Sequence, residues 1–213
     1  MKGINPRLTD ALKKHLNKKA VWSQPAYPMS TYSQLQKEIA RLACQNKDYV
    51  LYFRGQTSEY QTSRSLILPS IYRTDKTSSI EERWDRLENA SKLLIENLEK
   101  SRMNKAEWEL LKRKPLLQWS ILQHYEVVPT PLIDVTQSLR VACSFARLKN
   151  TQNEDNTQNE GYVYVIALPY VSHRIYMDSE EYLTIIRLLN IAPPEALRPY
   201  YQDAFLVGED VIQ

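Results

Sequence analysis

Four glycines in 213 residues, Gly3, Gly55, Gly161 and Gly208, set the tightest bound on what this chain can build. Loops that cradle phosphate need several closely spaced glycines so that backbone amides can reach the anion, and these four are scattered. Gly-rich nucleotide-binding folds of the P-loop and dinucleotide types are therefore excluded. The length allows a substantial core without staples. Cys44 and Cys143 sit in amphipathic stretches with no cysteine or histidine at metal-ligand spacing, which predicts small core residues in a reducing compartment. With 28 basic and 25 acidic side chains, a net charge of +3 does not by itself nominate nucleic acid. Met1 to Lys19 lack the apolar run of a signal peptide, and no stretch approaches the roughly 20 apolar residues that cross a bilayer. A cytoplasmic protein without membrane association is expected. No cluster of acidic metal ligands supports a nuclease, and no metal is expected.

Leu8, Ala11, Leu12 and Leu16, then Leu35, Ile39, Leu42 and Ala43, recur at helical spacing and predict two opening helices. Tyr49 to Phe53 is an apolar and aromatic run that reads as a buried strand ending in a turn at Arg54-Gly55. Ser79-x-x-Glu82 has capping-box spacing ahead of a long amphipathic helix, and Asn104-x-x-Glu107 starts another that Pro115 interrupts or ends. Leu116 to His124 is helical, whereas Val127 to Pro131 is forced extended by its prolines. Leu132 to Val135 reads as a strand. A helix carrying Val141, Ala142, Phe145 and Ala146 follows, with Ser138 or Thr136 as its N-cap. Thr151 to Glu160 is polar and repetitive, hence a surface loop. Gly161 to Leu168 is the strongest strand, Asp178-x-x-Glu181 predicts a helix running to about Asn190, and Ala204 to Val207 is a last strand. Residues 1–48 read as an N-terminal helical extension and 49–213 as one α+β domain.

The run Tyr52-Phe53-Arg54-Gly55-Gln56, with Leu68-Pro69-Ser70-Ile71-Tyr72-Arg73, resembles the opening of the FRG domain family. Trp119, Gln123-His124-Tyr125, Pro129 to Thr136, Ser138 and Ala142-x-x-Phe145-Ala146 resemble the family's longer motif, with Arg198, Gln202 and Phe205 a weaker tail. More distantly, the chain is similar to ADP-ribosyltransferases of the arginine-serine-glutamate type. In those, a first strand carries an arginine and a second ends in a Ser-Thr-Ser motif. That likeness implies a small, split, mainly antiparallel sheet flanked by helices. It also implies NAD as the bound nucleotide, a protein or nucleic-acid acceptor, and a setting of bacterial defence or toxin action, where an inhibitor or antitoxin protein is a natural partner. The alternative is a non-catalytic FRG module that binds nucleotide or nucleic acid.

On this resemblance the catalytic candidates are Arg54, His124 and Glu209. The nucleotide-binding candidates are Arg54, Gly55, Gln56, His124, Tyr125, Thr130, Asp134, Thr136 and Ser138. Arginine presents a planar, permanently charged fork to phosphate or ribose. Histidine changes charge most easily near neutrality, and Asp134 is placed to orient it. Glu209 is a late acid in a chain with no late-strand Glu-x-Glu motif. Plainer readings stand beside these. Arg54 can pair with a carboxylate such as Asp134, Thr136 and Ser138 can be caps, and Trp119, Tyr125 and Phe145 can be core aromatics. Arg64 and Arg73 can extend an anion site or be solvated.

Overall fold

The computed structural model describes residues 7–58, 67–73, 77–100, 104–147, 160–191 and 197–209. Six strands, β1 (Val50–Gln56), β2 (Leu132–Thr136), β3 (Tyr162–Leu168), β4 (Ile175–Asp178), β5 (Leu183–Arg187) and β6 (Ala204–Glu209), form one antiparallel sheet in the order β3-β1-β2-β6-β5-β4. Among the described residues the helices are α1 (Asp10–Leu16), α2 (Tyr32–Gln45), α3 (Ile80–Glu99), α4 (Lys105–Arg113), α5 (Pro115–His124), α6 (Leu139–Ala146) and α7 (Leu197–Gln202). The expected α+β class is the one found. The chain divides into two compact units, one of Leu68–Asp134 with Val171–Gln213, the other of Lys2–Ile67 with Val135–Tyr170. The predicted loop at Thr151 to Glu160 falls, but for Glu160, outside the described residues, as do Arg64, Pro193 and Pro194.

In the first unit α3 starts as its sequence predicts. Ser79 Oγ accepts from the Glu82 amide at 3.2 Å, and the Glu82 carboxylate accepts from the Ser79 amide at 2.8 Å. Asn104 caps α4 through the Ala106 amide at 2.8 Å. Pro115 begins α5, where its missing N–H would have had no helical partner anyway. Trp84 of α3 meets Trp119 of α5 edge to face at 5.7 Å. Leu87, Leu117, Leu122, Leu132, Ile186 and Leu206 close the core around them, each side chain contributing about 1.5–3 kcal/mol by burial.

The helix expected from Asp178 to Asn190 is absent. β4 and β5 form a hairpin there, followed by a short 3₁₀ turn at Leu188–Asn190. Asp178 does hold backbone amides, those of Glu180 and Glu181, both at 3.1 Å. It does so in a turn that Tyr182 completes with a left-handed φ of 52°. The β-branched run Thr184-Ile185-Ile186 then favours the pleated sheet, with partner strands on both sides.

In the second unit α1 and α2 are tied together. Asn46 Oδ1 accepts from the Arg7 amide at 2.7 Å, its Nδ2 donates to the Arg7 and Leu42 carbonyls at 2.8 Å, and the Thr9 hydroxyl donates to the buried Glu38 carboxylate. β1 pairs with β3 over seven residues, from Val50 opposite Leu168 to Gln56 opposite Tyr162. Arg54 and Gly55 thus lie inside the strand, not in a turn after it, because this long ladder engages them. Cys44 is exposed and Cys143 half-buried, so the core placement predicted for both is corrected; both are free thiols. Each falls away from the buried face of its helix, which Leu42 supplies in α2 and Ala142 and Ala146 supply in α6.

Candidate functional site

The predicted site residues fall into a group in each unit. In the first, α5 ends at His124 and reverses through a left-handed Glu126, φ 55°. The Glu126 amide donates to the Gln123 carbonyl at 3.0 Å and the Val127 amide to the Leu122 carbonyl at 2.9 Å, the bond pair of a Schellman cap. Glycine normally fills that left-handed position. Glutamate is held there with its carboxylate 3.0 Å from the Arg198 guanidinium of α7.

His124 is buried, and among the described residues its Nε2 has no hydrogen-bond partner. Burial holds its pKa down, to about 4; the Arg198 guanidinium adds to the lowering, and the Glu126 carboxylate opposes it. The ring is therefore neutral at physiological pH. Tyr125 packs edge-on against it at 5.4 Å but is itself 47 % exposed, which corrects the core reading of that tyrosine. Tyr125 is the residue just past the last turn of α5, at its C-cap. Trp119 is buried as expected, and Phe145 only half-buried.

Beside His124, Gln123 joins two parts of the motif. Its Oε1 accepts from the Thr130 hydroxyl at 2.5 Å, and its Nε2 donates to Asp134 Oδ2 at 2.6 Å. Thr130 lies between Pro129 and Pro131, which bring no N–H, and it is wholly buried. Its hydroxyl also accepts from the Leu132 amide at 3.2 Å, its own amide donates to Ser70 Oγ at 3.0 Å, and its carbonyl accepts from the Ile71 amide at 3.2 Å. The Gln-His-Tyr and Pro-Thr-Pro-Leu-Ile-Asp segments, with Ser70-Ile71, thereby form one hydrogen-bonded clamp. Arg73 points elsewhere, donating through Nε to the Leu68 carbonyl at 3.1 Å.

In the second unit, register decides which side chains share a face. Phe53 lies opposite Thr136 of β2 and Val165 of β3, while Arg54 lies opposite Tyr164. Alternation then puts Phe53, Gly55 and Thr136 on one face, and Tyr52, Arg54 and Gln56 with Tyr162 and Tyr164 on the other. The first face is closed by α6. A Cβ at Gly55 would stand 1.8 Å from the Ala142 carbonyl oxygen, and one at Gly161 2.2 Å from that of Ala146. The hydroxyls on that side serve the backbone. Thr136 Oγ1 accepts from the Ser138 amide at 3.0 Å, and Ser138 Oγ caps α6 through the Val141 amide at 3.4 Å, so Ser138 is the N-cap. Arg54 is therefore grouped with the two tyrosines and Gln56, not on the face of Thr136. Gln56 is 9 % exposed, and among the described residues its Oε1 has no hydrogen-bond partner. Tyr162 and Tyr164 are further members of this group outside the family motif, and the Tyr-Val-Tyr-Val alternation is the sequence signal for them. Glu209 closes β6.

An α+β domain with one antiparallel sheet, a Gln-Thr-Asp clamp and an arginine-bearing strand backed by a close-packed helix is the class these features define. The chain belongs to the FRG domain family, which it matches over residues 49–156, just over half its length. That span holds every candidate site residue from the sequence except Glu209, and stops short of Tyr162 and Tyr164. No curated protein and no solved structure matches the chain. Among the described residues, no helix is long and apolar enough to cross a membrane, and no group of His, Cys, Asp and Glu could hold a metal.

Proposed function

We propose that this FRG domain binds NAD on the Arg54-bearing face of β1 and β3 and transfers ADP-ribose to a macromolecular acceptor, protein or nucleic acid. The observation that carries this reading is the Gln56 carboxamide, buried two residues along from Arg54 on the same face, with an acceptor oxygen that meets no donor among the described residues. An unmet buried acceptor costs about 1–3 kcal/mol, and a ligand N–H or O–H offsets that cost. The carboxamide of nicotinamide and the ribose hydroxyls are donors of that kind. Arg54 offers a fork suited to the diphosphate or a ribose, and the phenol rings of Tyr162 and Tyr164 offer surfaces for a planar base. The opposite face is unsuitable because α6 leaves no room above Gly55 for even one carbon.

In the transfer, an acceptor nucleophile bonds to the anomeric carbon of the nicotinamide-side ribose as the carbon–nitrogen bond to nicotinamide breaks. Nicotinamide leaves neutral with the bonding pair, and the acceptor's proton passes to solvent. Arg54 orients the dinucleotide, and Gln56 fixes one hydrogen-bonded end of it. The test is labelled NAD incubated with cell lysate and the protein, Arg54→Ala or Gln56→Met. Labelled macromolecule and free nicotinamide are expected with the parent protein. Both should fall about 10–100-fold in each variant, the equivalent of one charge-assisted hydrogen bond. Calorimetric NAD binding without nicotinamide release would identify a binding module instead, and no NAD binding at all would refute the assignment.

A further inference from the structure

The far end of the β4–β5 hairpin, remote from its turn, holds two arginines that neither the FRG motif nor the proposed transfer uses. Ile175 lies opposite Ile186, and the Arg187 amide donates to the Arg174 carbonyl at 2.9 Å, so the ladder continues by one pair and sets Arg174 directly across from Arg187. Side chains so opposed emerge on the same face, from Cα atoms about 5.5 Å apart in a hydrogen-bonded pair. On the other side Arg187 lies opposite Phe205 of β6, and its guanidinium stacks over that ring at 5.8 Å. Three neighbouring strands thus present Arg174, Arg187 and Phe205 in a row.

Like charges directly opposite one another destabilise an antiparallel pair. Among the described residues, no carboxylate lies within ion-pair distance of either guanidinium. The nearest acid along the same face of β4, Asp178, already accepts from the Tyr176 hydroxyl and the amides of Glu180 and Glu181. Arg187 Nε is buried and lacks a hydrogen-bond partner among the described residues. Buried polar groups are nearly always satisfied, and a guanidinium nitrogen can be satisfied only by an acceptor. Phe205 gives the Arg187 guanidinium an aromatic neighbour, while the exposed Arg174 is free to close on whatever that fork engages.

We propose that Arg174 and Arg187 form a binding site for a phosphate-class oxyanion, distinct from the Arg54 face. Two forks side by side match a tetrahedral anion with several acceptor oxygens, and the shared anion removes the repulsion between them. Its source is either the phosphate of a free nucleotide or a phosphodiester of a nucleic acid.

Thermal unfolding of the full chain with inorganic pyrophosphate, against sodium chloride at matched ionic strength, tests the site. The parent protein should be stabilised by pyrophosphate beyond the chloride control. Arg174→Ala, at an exposed position, should unfold like the parent without ligand yet bind pyrophosphate about tenfold more weakly. Arg187→Lys, which keeps charge and aliphatic stem but loses the fork, should do the same. Arg54→Ala should keep the part of the response that Arg174→Ala and Arg187→Lys remove, which separates this site from the proposed NAD face. Titration with ADP and with a fluorescent single-stranded oligonucleotide then assigns the source; preference for either upholds the site. No stabilisation beyond chloride, parent-like binding by both Arg174→Ala and Arg187→Lys, or a response abolished by Arg54→Ala alone would each overturn it.

Discussion

Replacing Gly55 by alanine tests the architecture of the Arg54 strand most directly. Glycine to alanine in a strand is ordinarily favourable, by about 0.4–1 kcal/mol, because alanine restricts the unfolded chain. None of the described glycines has a positive φ, so backbone conformation raises no objection to the change. Space does. The new methyl would meet the Ala142 carbonyl oxygen at 1.8 Å, the Ala142 carbonyl carbon at 2.8 Å and the Ala146 amide nitrogen at 2.8 Å, all of them backbone. No rotamer change relieves contacts of that kind, so α6 or β1 must move as a body. Overpacking of a core costs about 1–3 kcal/mol, and the upper end applies where the obstacle is a helix backbone. At roughly 2–4 °C per kcal/mol for a protein of this size, Gly55→Ala should lower Tm by about 6–12 °C in a circular dichroism melt. Ala142→Gly should not rescue it, since the obstructing atoms are main chain. Gly161→Ala, 2.2 Å from the Ala146 carbonyl oxygen, should follow closely. Gly208→Ala should cost less, because its nearest contact, at 2.7 Å, is a methyl of the Leu132 side chain, which can rotate. A Gly55→Ala protein melting at or above the parent temperature would refute the packing argument and remove the reason for assigning ligand to the opposite face.

Two further outcomes concern the His124 turn. The folded pKa of about 4 lies below the ordinary 6.5, so the unfolded chain binds the proton more readily than the fold does. Stability from this group is fully present above pH 6.5, is lost as pH falls from there to about 4, and amounts to roughly 2–3 kcal/mol. His124→Gln should flatten urea-derived stability across that window; an unchanged slope would show that the imidazole is not held neutral by the fold. Glu126→Gly should relieve a left-handed residue at about 1–2 kcal/mol and forfeit an exposed ion pair with Arg198 worth under about 1 kcal/mol. A net gain in urea midpoint is expected, and a clear loss would mean that the Glu126–Arg198 pair does more than a surface bridge.

Most elements were legible because local chemistry and tertiary environment agree on them. The Ser79-x-x-Glu82 box forms both of its bonds, and Pro115 opens a helix. The segment after Asp178 departs from its helical sequence signal because one interaction serves two structures: a carboxylate accepting nearby amides starts a helix or closes a turn. Burial of all four residues from Leu183 to Ile186 erased the alternation that marks a strand, since the sheet is covered on both faces there. α7, six residues with Pro199 inside it, offers no apolar period to read. In the site, residue identities were readable but their grouping was not. Whether Arg54 accompanies Thr136 or Tyr164 depends on register between distant strands, a property of pairing and not of any local pattern.

That register also explains why phenylalanine, arginine and glycine occur as consecutive residues. In a strand, neighbours face opposite ways, so the tripeptide divides its work between two faces. Phe53 and Gly55 belong to the α6 side, one filling space and the other leaving it, while Arg54 lies on the polar side with Tyr164 across from it. The close approach of α6 at Gly55 fixes the strand against a rigid backing, and a rigid backing is what holds an arginine fork in place for a ligand. Substitutions at Phe53 or Gly55 should therefore act through stability, and substitutions at Arg54 through ligand affinity at unchanged Tm. A loss of NAD binding in Gly55→Ala that persists well below its melting temperature would link the two faces, by showing that the helix sets the aim of the guanidinium as well as the stability of the strand.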